Sequence, residues 1–356
     1  MPLLQLPPET LVQIFNYVGS SYFRSDLSRL TVCKQWSEFA HTACFRDFNV
    51  TQKTLRRLLS SPYVESNLSL VKDSLETLDL DLKGFEDWDS IPLSGHDSRA
   101  MNILIAPTWD GAHGRAVREA WTTELNNDLL ELAAIIKQSQ KLHILRIQAT
   151  SELHPLLRLI RRDYLFQSTI CTLLSASNLT SLELDLCGTR LMPHESQEHG
   201  KGFHVCTSIA ALLTTLRRLR LRMRSICADI LKPRQHSTSL QLNEILINLS
   251  LSNESSLTTS AAYARFCGSS TVGFLQMKAD IEKQAQVLIT RMVAPKIVRV
   301  LTHALPSLKM QAFDILTGRN VTLSEGAEWD DDGETIEDQV SDEESEILDL
   351  SSDNDG

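Results

Sequence analysis

The sequence predicts an α/β chain in three parts. A small three-helix bundle occupies residues 1–49, an irregular solenoid of strand–helix units around a parallel sheet occupies 50–323, and a disordered acidic tail occupies 324–356. Three observations predict this division. The first fifty residues carry apolar side chains at helical spacing, the middle repeats one leucine pattern, and positive charge stops before residue 325. All 35 Lys and Arg lie before Glu325, with 30 of the 45 Asp and Glu, so a mildly basic body precedes an acidic tail within a chain of net charge −10.

The first helix is specified by Leu6-Pro7-Pro8-Glu9 and the run that follows. Proline suits a first helical turn, where no N–H is needed and φ is already set. Glu9 sits where the helix dipole favours an anion. Leu11, Ile14, Phe15 and Val18 follow the i, i+3, i+4, i+7 rule, and Gly19 ends the helix. Asp26 is the expected N-cap of a second short helix with Leu27 and Leu30 inward. A third helix places Trp36, Phe39, Ala40 and Ala43 on one face. A bundle this small can hardly enclose its own apolar surface, so the stripe on the first helix is expected to dock on a partner.

The ordered set Leu6-Pro7-Pro8-Glu9, Leu11, Ile14-Phe15 and Val32-Cys33-Lys34-Gln35-Trp36 resembles an F-box in its fungal form. The resemblance covers about residues 4 to 48. It implies docking on a Skp-type adaptor and, through it, on a cullin–RING ubiquitin ligase. It also implies that Leu6, Pro7, Glu9, Leu11, Ile14, Phe15, Val32, Cys33 and Trp36 are adaptor-facing or core residues. A buried Trp36 would make Trp36→Ala cost ~3–5 kcal/mol.

In the body, the unit Leu-x-x-Leu-x-Leu or a conservative variant starts at Leu75, Leu142, Leu179, Leu216, Leu246 and Leu305. The starts are 67, 37, 37, 30 and 59 residues apart, against ~20–29 for regular leucine-rich repeats. The alternating end of each unit predicts a strand. Helical stretches are expected between units at 128–137, 156–175, 204–213, 226–231 and 274–304, the last broken at Pro295. Asn102-Ile103-Leu104-Ile105 is a candidate strand in the first gap. This alternation is the pattern of an irregular leucine-rich-repeat solenoid with a parallel sheet. An F-box before such repeats resembles fungal F-box proteins in which the repeats select a substrate. Residues 84–127, with Trp88, Trp109 and Trp121, are expected to leave the solenoid as an insertion.

If the strands lie in register, Asp79, Arg146, Glu183, Arg220, Ser250 and Lys309 form one row ~4.8 Å apart on the concave face. The next row begins Asp81, Gln148, Asp185, Arg222. The run Arg217, Arg218, Arg220, Arg222, Arg224 is therefore open to two readings. It could clamp an acidic or phosphorylated target segment, or Glu183 and Asp185 could neutralise Arg220 and Arg222 across the ladder. The second is favoured for those two, which leaves Arg217, Arg218 and Arg224 for a target. No aromatic residue interleaves the arginines, so nucleic acid is not an expected partner.

The tail holds Ile347-Leu348-Asp349-Leu350 followed by Ser351-Ser352-Asp353, which resembles a SUMO-interacting motif through Ile347, Leu348 and Leu350. Phe313 to Arg319 is expected to be the last ordered strand, and Trp329 could dock back on the body. Seven scattered cysteines without a Cys-x-x-Cys pair, no basic-plus-apolar leader and no long apolar run point to the cytoplasm or nucleus and to no membrane partner. No catalytic motif or cofactor-binding glycine loop is present, and a non-enzymatic subunit without cofactors is expected. His194, His199, His204 and Cys206 lack the tight pairing of structural zinc sites, so no metal is assigned. The expected function is substrate recognition in an SCF-type ubiquitin ligase, with an unidentified protein as target. The alternatives are an F-box scaffold that directs no ubiquitination, and a leucine-rich-repeat binding module outside any ligase.

Overall fold

The computed structural model describes residues 5–60, 64–85, 112–151, 163–193, 204–234, 239–251, 263–268, 272–303 and 309–335. Within them the chain is a mixed α/β structure built on a large, mostly parallel sheet. The front is helical: α1 (Pro8–Val18), α2 (Ser20–Ser25), a 3-10 turn (Leu27–Leu30) and α3 (Lys34–Arg46). Proline occupies the start of α1, and Gly19 ends it at φ +84°, a conformation glycine tolerates without strain. Asp26 caps the turn by accepting from the Ser28 N–H at 3.0 Å. Cys33 caps α3, its sulfur accepting from the Trp36 N–H at 3.4 Å.

Helix α3 runs directly into β1 (Asp47–Thr51), followed by α4 (Gln52–Leu59), α5 (Val64–Ser74) and β2 (Thr77–Leu82). The junction is held by Arg46, whose Nε donates to the Glu76 carboxylate at 2.8 Å while its carbonyl accepts from the Glu76 N–H at 2.8 Å. Then come α6 (Ala112–Gln138), β3 (Ile144–Ala149), β4 (Leu165–Phe166), α7 (Gln167–Leu173), β5 (Ser181–Leu186), β6 (Leu191–Met192), α8 (Val205–Leu212) and β7 (Arg218–Met223). The chain continues through β8 (Ser225–Ile226), a 3-10 turn (Ala228–Leu231), β9 (Glu244–Asn248), β10 (Arg265–Phe266), α9 (Phe274–Ile289), β11 (Ile297–His303), β12 (Met310–Asp314), β13 (Arg319–Thr322) and β14 (Glu334–Thr335).

Ten strands form the main sheet in the order β1-β2-β3-β5-β7-β9-β11-β12-β13-β14. The pairings from β1 to β11 are parallel and those from β11 to β14 antiparallel. The register aligns Leu78, Leu145, Leu182, Leu219, Ile245 and Val298, and next to them Leu80, Ile147, Leu184, Leu221, Ile247 and Val300. All are buried on the helix-covered face. Each such side chain contributes roughly 1.5–3 kcal/mol when fully buried, so these two apolar rows are the spine of the fold. The crossovers after β3 and β5 pack so closely that a Cβ on Gly188 would lie 2.3 Å from the Thr150 carbonyl carbon. Only glycine fits there.

Several expectations change. The fifth and sixth units slip. The strands are centred on Ile245–Ile247 and Val298–Val300, so the polar row runs Asp79, Arg146, Glu183, Arg220, Leu246, Arg299, without Ser250 or Lys309. Leu242-x-x-Ile245-x-Ile247 fits the pattern as well as the Leu246 phase, and it keeps the apolar residues on the core face. Residues 297–303 are a strand rather than the end of a helix, because Pro295 stops helical continuation and Val298, Val300 and Leu301 suit a pleat. The 84–127 segment is not wholly an insertion. From Ala112 it belongs to α6, and Trp121 packs on the main core, 6.0 Å ring to ring from Tyr164.

Gly318 closes the β12–β13 hairpin rather than the last strand, since β14 follows at Glu334–Thr335. Asn102–Ile105, Trp88, Trp109, Leu305, Leu308, His194, His199 and the Ile347, Leu348, Leu350 motif lie outside the described residues.

Candidate functional site: the N-terminal bundle and the polar face of the sheet

The bundle has a core of its own, separate from that of the sheet. Leu11, Phe15, Phe23, Leu30, Ala40, Ala43 and Cys44 are buried together, with Leu6, Trp36 and Phe39 partly buried against them. Phe15 is its centre. Its ring stacks on Phe23 at 5.6 Å and meets the edge of Trp36 at 4.5 Å. The apolar stripe predicted on α1 therefore divides, with Leu11 and Phe15 inside, Ile14 half-buried and Val18 exposed. Trp36 is half-buried and its indole N–H donates to the Arg29 carbonyl, so its truncation removes less apolar burial than the sequence implied.

Of the remaining sequence-predicted residues, Pro7 and Glu9 are exposed and Cys33 is half-buried. Val32 is 63% exposed. Two further apolar side chains outside the predicted stripes, Tyr17 at 95% and Val12, are also open. Leu27, expected inward beside Leu30, is instead 62% exposed, while Leu30 alone enters the bundle core. The bundle closes a core around two phenylalanines and still leaves large apolar groups in solvent, as a small domain with an unpaired docking face would.

On the sheet, Asp79, Arg146 and Glu183 form a half-exposed ion-pair chain, Arg146 reaching Asp79 at 3.0 Å and Glu183 at 3.5 Å. The Asp185–Arg222 pair forms across the ladder as expected, and its Arg222 Nε donates to the carboxylate at 2.9 Å. Arg220 instead pairs with Glu244 at 3.2 Å and with Asp330. Arg218 is not without a neighbour: its guanidinium grips Glu244 at 2.8 and 3.2 Å. Arg224 is half-buried and donates to the Cys187 carbonyl at 2.6 Å, and burial lowers its pKa. Arg217 is exposed.

The first stretch of the acidic segment is part of this face. Trp329 packs beside Leu246, Leu301, Ala312 and Leu323, with the Arg222 guanidinium 5.3 Å from its ring centroid. Arg299 donates to the Asp331 carbonyl at 2.7 Å. Glu244, Asp330 and Asp331 escape a reading of the leucine rows because they come from outside those rows. The position of Trp329 among acids was the one available signal.

The grouping of the possible metal donors differs from the one the sequence suggests. His204 and Cys206 do converge, but with Cys227 and Cys267, distant in sequence, rather than with His194 and His199. Among the described residues no helix is long and apolar enough to cross a membrane.

The F-box-like family model matches residues 3–48, which spans α1, the 3-10 turn and α3. No curated protein matches the chain. The separately cored bundle at the front of this chain is thus an F-box-like domain, which supports an F-box protein whose typical role is adaptor binding in an SCF complex.

Proposed function

We propose that this chain is the substrate-recognition subunit of an SCF-type cullin–RING ubiquitin ligase. The F-box-like domain docks on a Skp-type adaptor, and the parallel sheet, read as an irregular leucine-rich-repeat solenoid, holds a target protein. The carrying observation is the F-box-like match on a bundle that folds around its own core yet exposes Val12, Tyr17, Leu27 and Val32. The aligned leucine rows of β2, β3, β5 and β7 support the repeat reading. The chain itself is then non-catalytic and acts in the cytoplasm or nucleus. It raises the effective concentration of a target near charged ubiquitin. The half-exposed Asp79–Arg146–Glu183 chain and the exposed Arg217 and Arg218 are the polar groups it offers a target.

Co-purification of the full chain with a Skp-type adaptor tests the adaptor arm. Val32→Asp and Ile14→Asp should abolish co-elution while circular dichroism stays unchanged. Leu11→Asp is not a usable probe, since it places a charge inside the bundle core. Retained binding in both variants, or none in the parent chain, sinks the adaptor assignment. Proteins captured under neddylation inhibition should lengthen in half-life when the chain is depleted; unchanged half-lives favour a scaffold instead.

A further inference from the structure

Three crossovers of the sheet meet at one point. The β5–β7 crossover brings His204, the residue before α8, and Cys206 in its first turn. The β7–β9 crossover brings Cys227, which caps the 3-10 turn 228–231. The β9–β11 crossover brings Cys267, next after β10. Strands β8 and β10 pair in parallel, Ser225 with Arg265 and Ile226 with Phe266, so the following residues of that ladder are Cys227 and Cys267. One ligand atom from each of the four residues lies within 4.8 Å of all the others.

We propose that His204, Cys206, Cys227 and Cys267 form a structural zinc site that staples these three crossovers together. With Zn–S of about 2.3 Å and Zn–N of about 2.0 Å, a tetrahedral site sets sulfurs about 3.8 Å apart and sulfur and nitrogen about 3.5 Å apart. The Cys206 and Cys267 sulfurs are 4.0 Å apart. His204 Nδ1 lies 3.5 Å from Cys267 Sγ and 3.9 Å from Cys227 Sγ. These three separations lie within tenths of an ångström of the tetrahedral values, and all the donor pairs are within 4.8 Å. Both ring nitrogens lie 3.9 Å from Cys227 Sγ, but Nε2 faces the Asp229 carboxylate at 3.6 Å, so Nδ1 would ligate while Asp229 orients the ring.

Three thiolates and an imidazole in a tetrahedron select zinc over hard, oxygen-seeking cations. Four protein donors leave no place for water or substrate, so the role is structural rather than catalytic. Cys206 and Cys227 are buried in the main core, while Cys267 and His204 are partly open along the cleft that Met223, Arg224 and Ser225 help line, which gives the ion a way in. The site escapes a search of the sequence because its donors are spread over 64 positions and include no Cys-x-x-Cys pair. This inference is independent of the ligase reading.

The test is metal analysis of the full chain, purified without a metal-affinity step from zinc-supplemented cells. About one equivalent of zinc per chain is expected, falling below about a tenth in Cys227→Ser and Cys267→Ser and unchanged in Cys187→Ser. Because the site variants could fail to fold, the parent chain is also stripped with a chelator and reloaded with cobalt(II). The expected spectrum shows thiolate-to-cobalt charge transfer and the intense visible bands of a tetrahedral ion, lost when zinc is added back. Chelation should also lower Tm reversibly. The proposal is overturned by a folded parent chain that holds no zinc and yields no such cobalt spectrum. Zinc retained at full level in both site variants, or a Cys206–Cys267 disulfide recovered in place of metal, overturns it equally.

Discussion

The two halves of the main sheet share one ladder but treat their outer face differently. From β2 to β5 that face carries Asp79, Arg146 and Glu183, half-exposed and paired with one another. From β7 to β11 the same row reads Arg220, Leu246, Arg299, and the β12–β13 hairpin with Trp329 helps bury it. A parallel sheet open on one side shows apolar and polar residues in alternation, whereas one covered on both sides shows continuous apolar runs such as Ile245-Leu246-Ile247. The difference teaches that identical register does not give identical environment. What lies over the row decides whether its charges are solvated groups or buried partners.

Removing the carboxylate partner of one arginine in each half, Arg222 on β7 and Arg146 on β3, should break the comparison most sharply. Asp185→Ala leaves Arg222, 7% exposed, without its carboxylate and should cost ~3–5 kcal/mol. Asp79→Ala, in the open half, should cost ~0–1 kcal/mol. Denaturant unfolding of both variants measures the gap; equal losses would mean the two halves are equally solvated.

Leu246→Ala should cost ~2–5 kcal/mol because Leu246 is fully buried in the second layer, whereas Glu183→Ala, two strands away in the same row, should stay within about 0.5 kcal/mol. Trp329→Ala should cost about 1–2 kcal/mol, since the ring is only partly buried and its guanidinium contact is modest. Its sharper readout is proteolysis: cleavage within 324–335 should accelerate, while cleavage in the first half of the sheet should not.

The smallest effect is a pH dependence. Burial, helped by the nearby Arg222, lowers the pKa of His303. The unfolded chain then binds the proton more readily than the folded one. The stabilisation is full above the free imidazole value of about 6.5 and is lost as pH falls through the lower folded value. Tm should therefore drop modestly between pH 7.5 and 5.5, and His303→Asn should flatten that part of the curve.

Legibility followed the range of the interactions. Local signals held: the proline start and Gly19 stop of α1, the Asp26 cap, and the strands after Leu75, Leu142, Leu179 and Leu216 all lie where spacing placed them. The Asp185–Arg222 pair was also readable, because parallel register converts a repeat offset into an address. The last two units failed where two leucine phases competed, Leu242-x-x-Ile245 against Leu246-x-x-Leu249. With apolar residues required on both faces, periodicity alone could not choose. Arg218 was misjudged because its partner, Glu244, opens the next strand rather than lying in the repeat behind it.

By itself the sequence determined the helical bundle with its recognisable front, the apolar rows and the polar row of the first four strands. Those depend on side chains close in sequence or one fixed repeat apart. Only the tertiary structure decided that Leu11 and Phe15 face inward, that Trp329 and Asp330 cover the arginines, and that His204, Cys206, Cys227 and Cys267 meet. Each of those depends on segments whose separation no period encodes, brought together by burial and charge pairing once the sheet has formed.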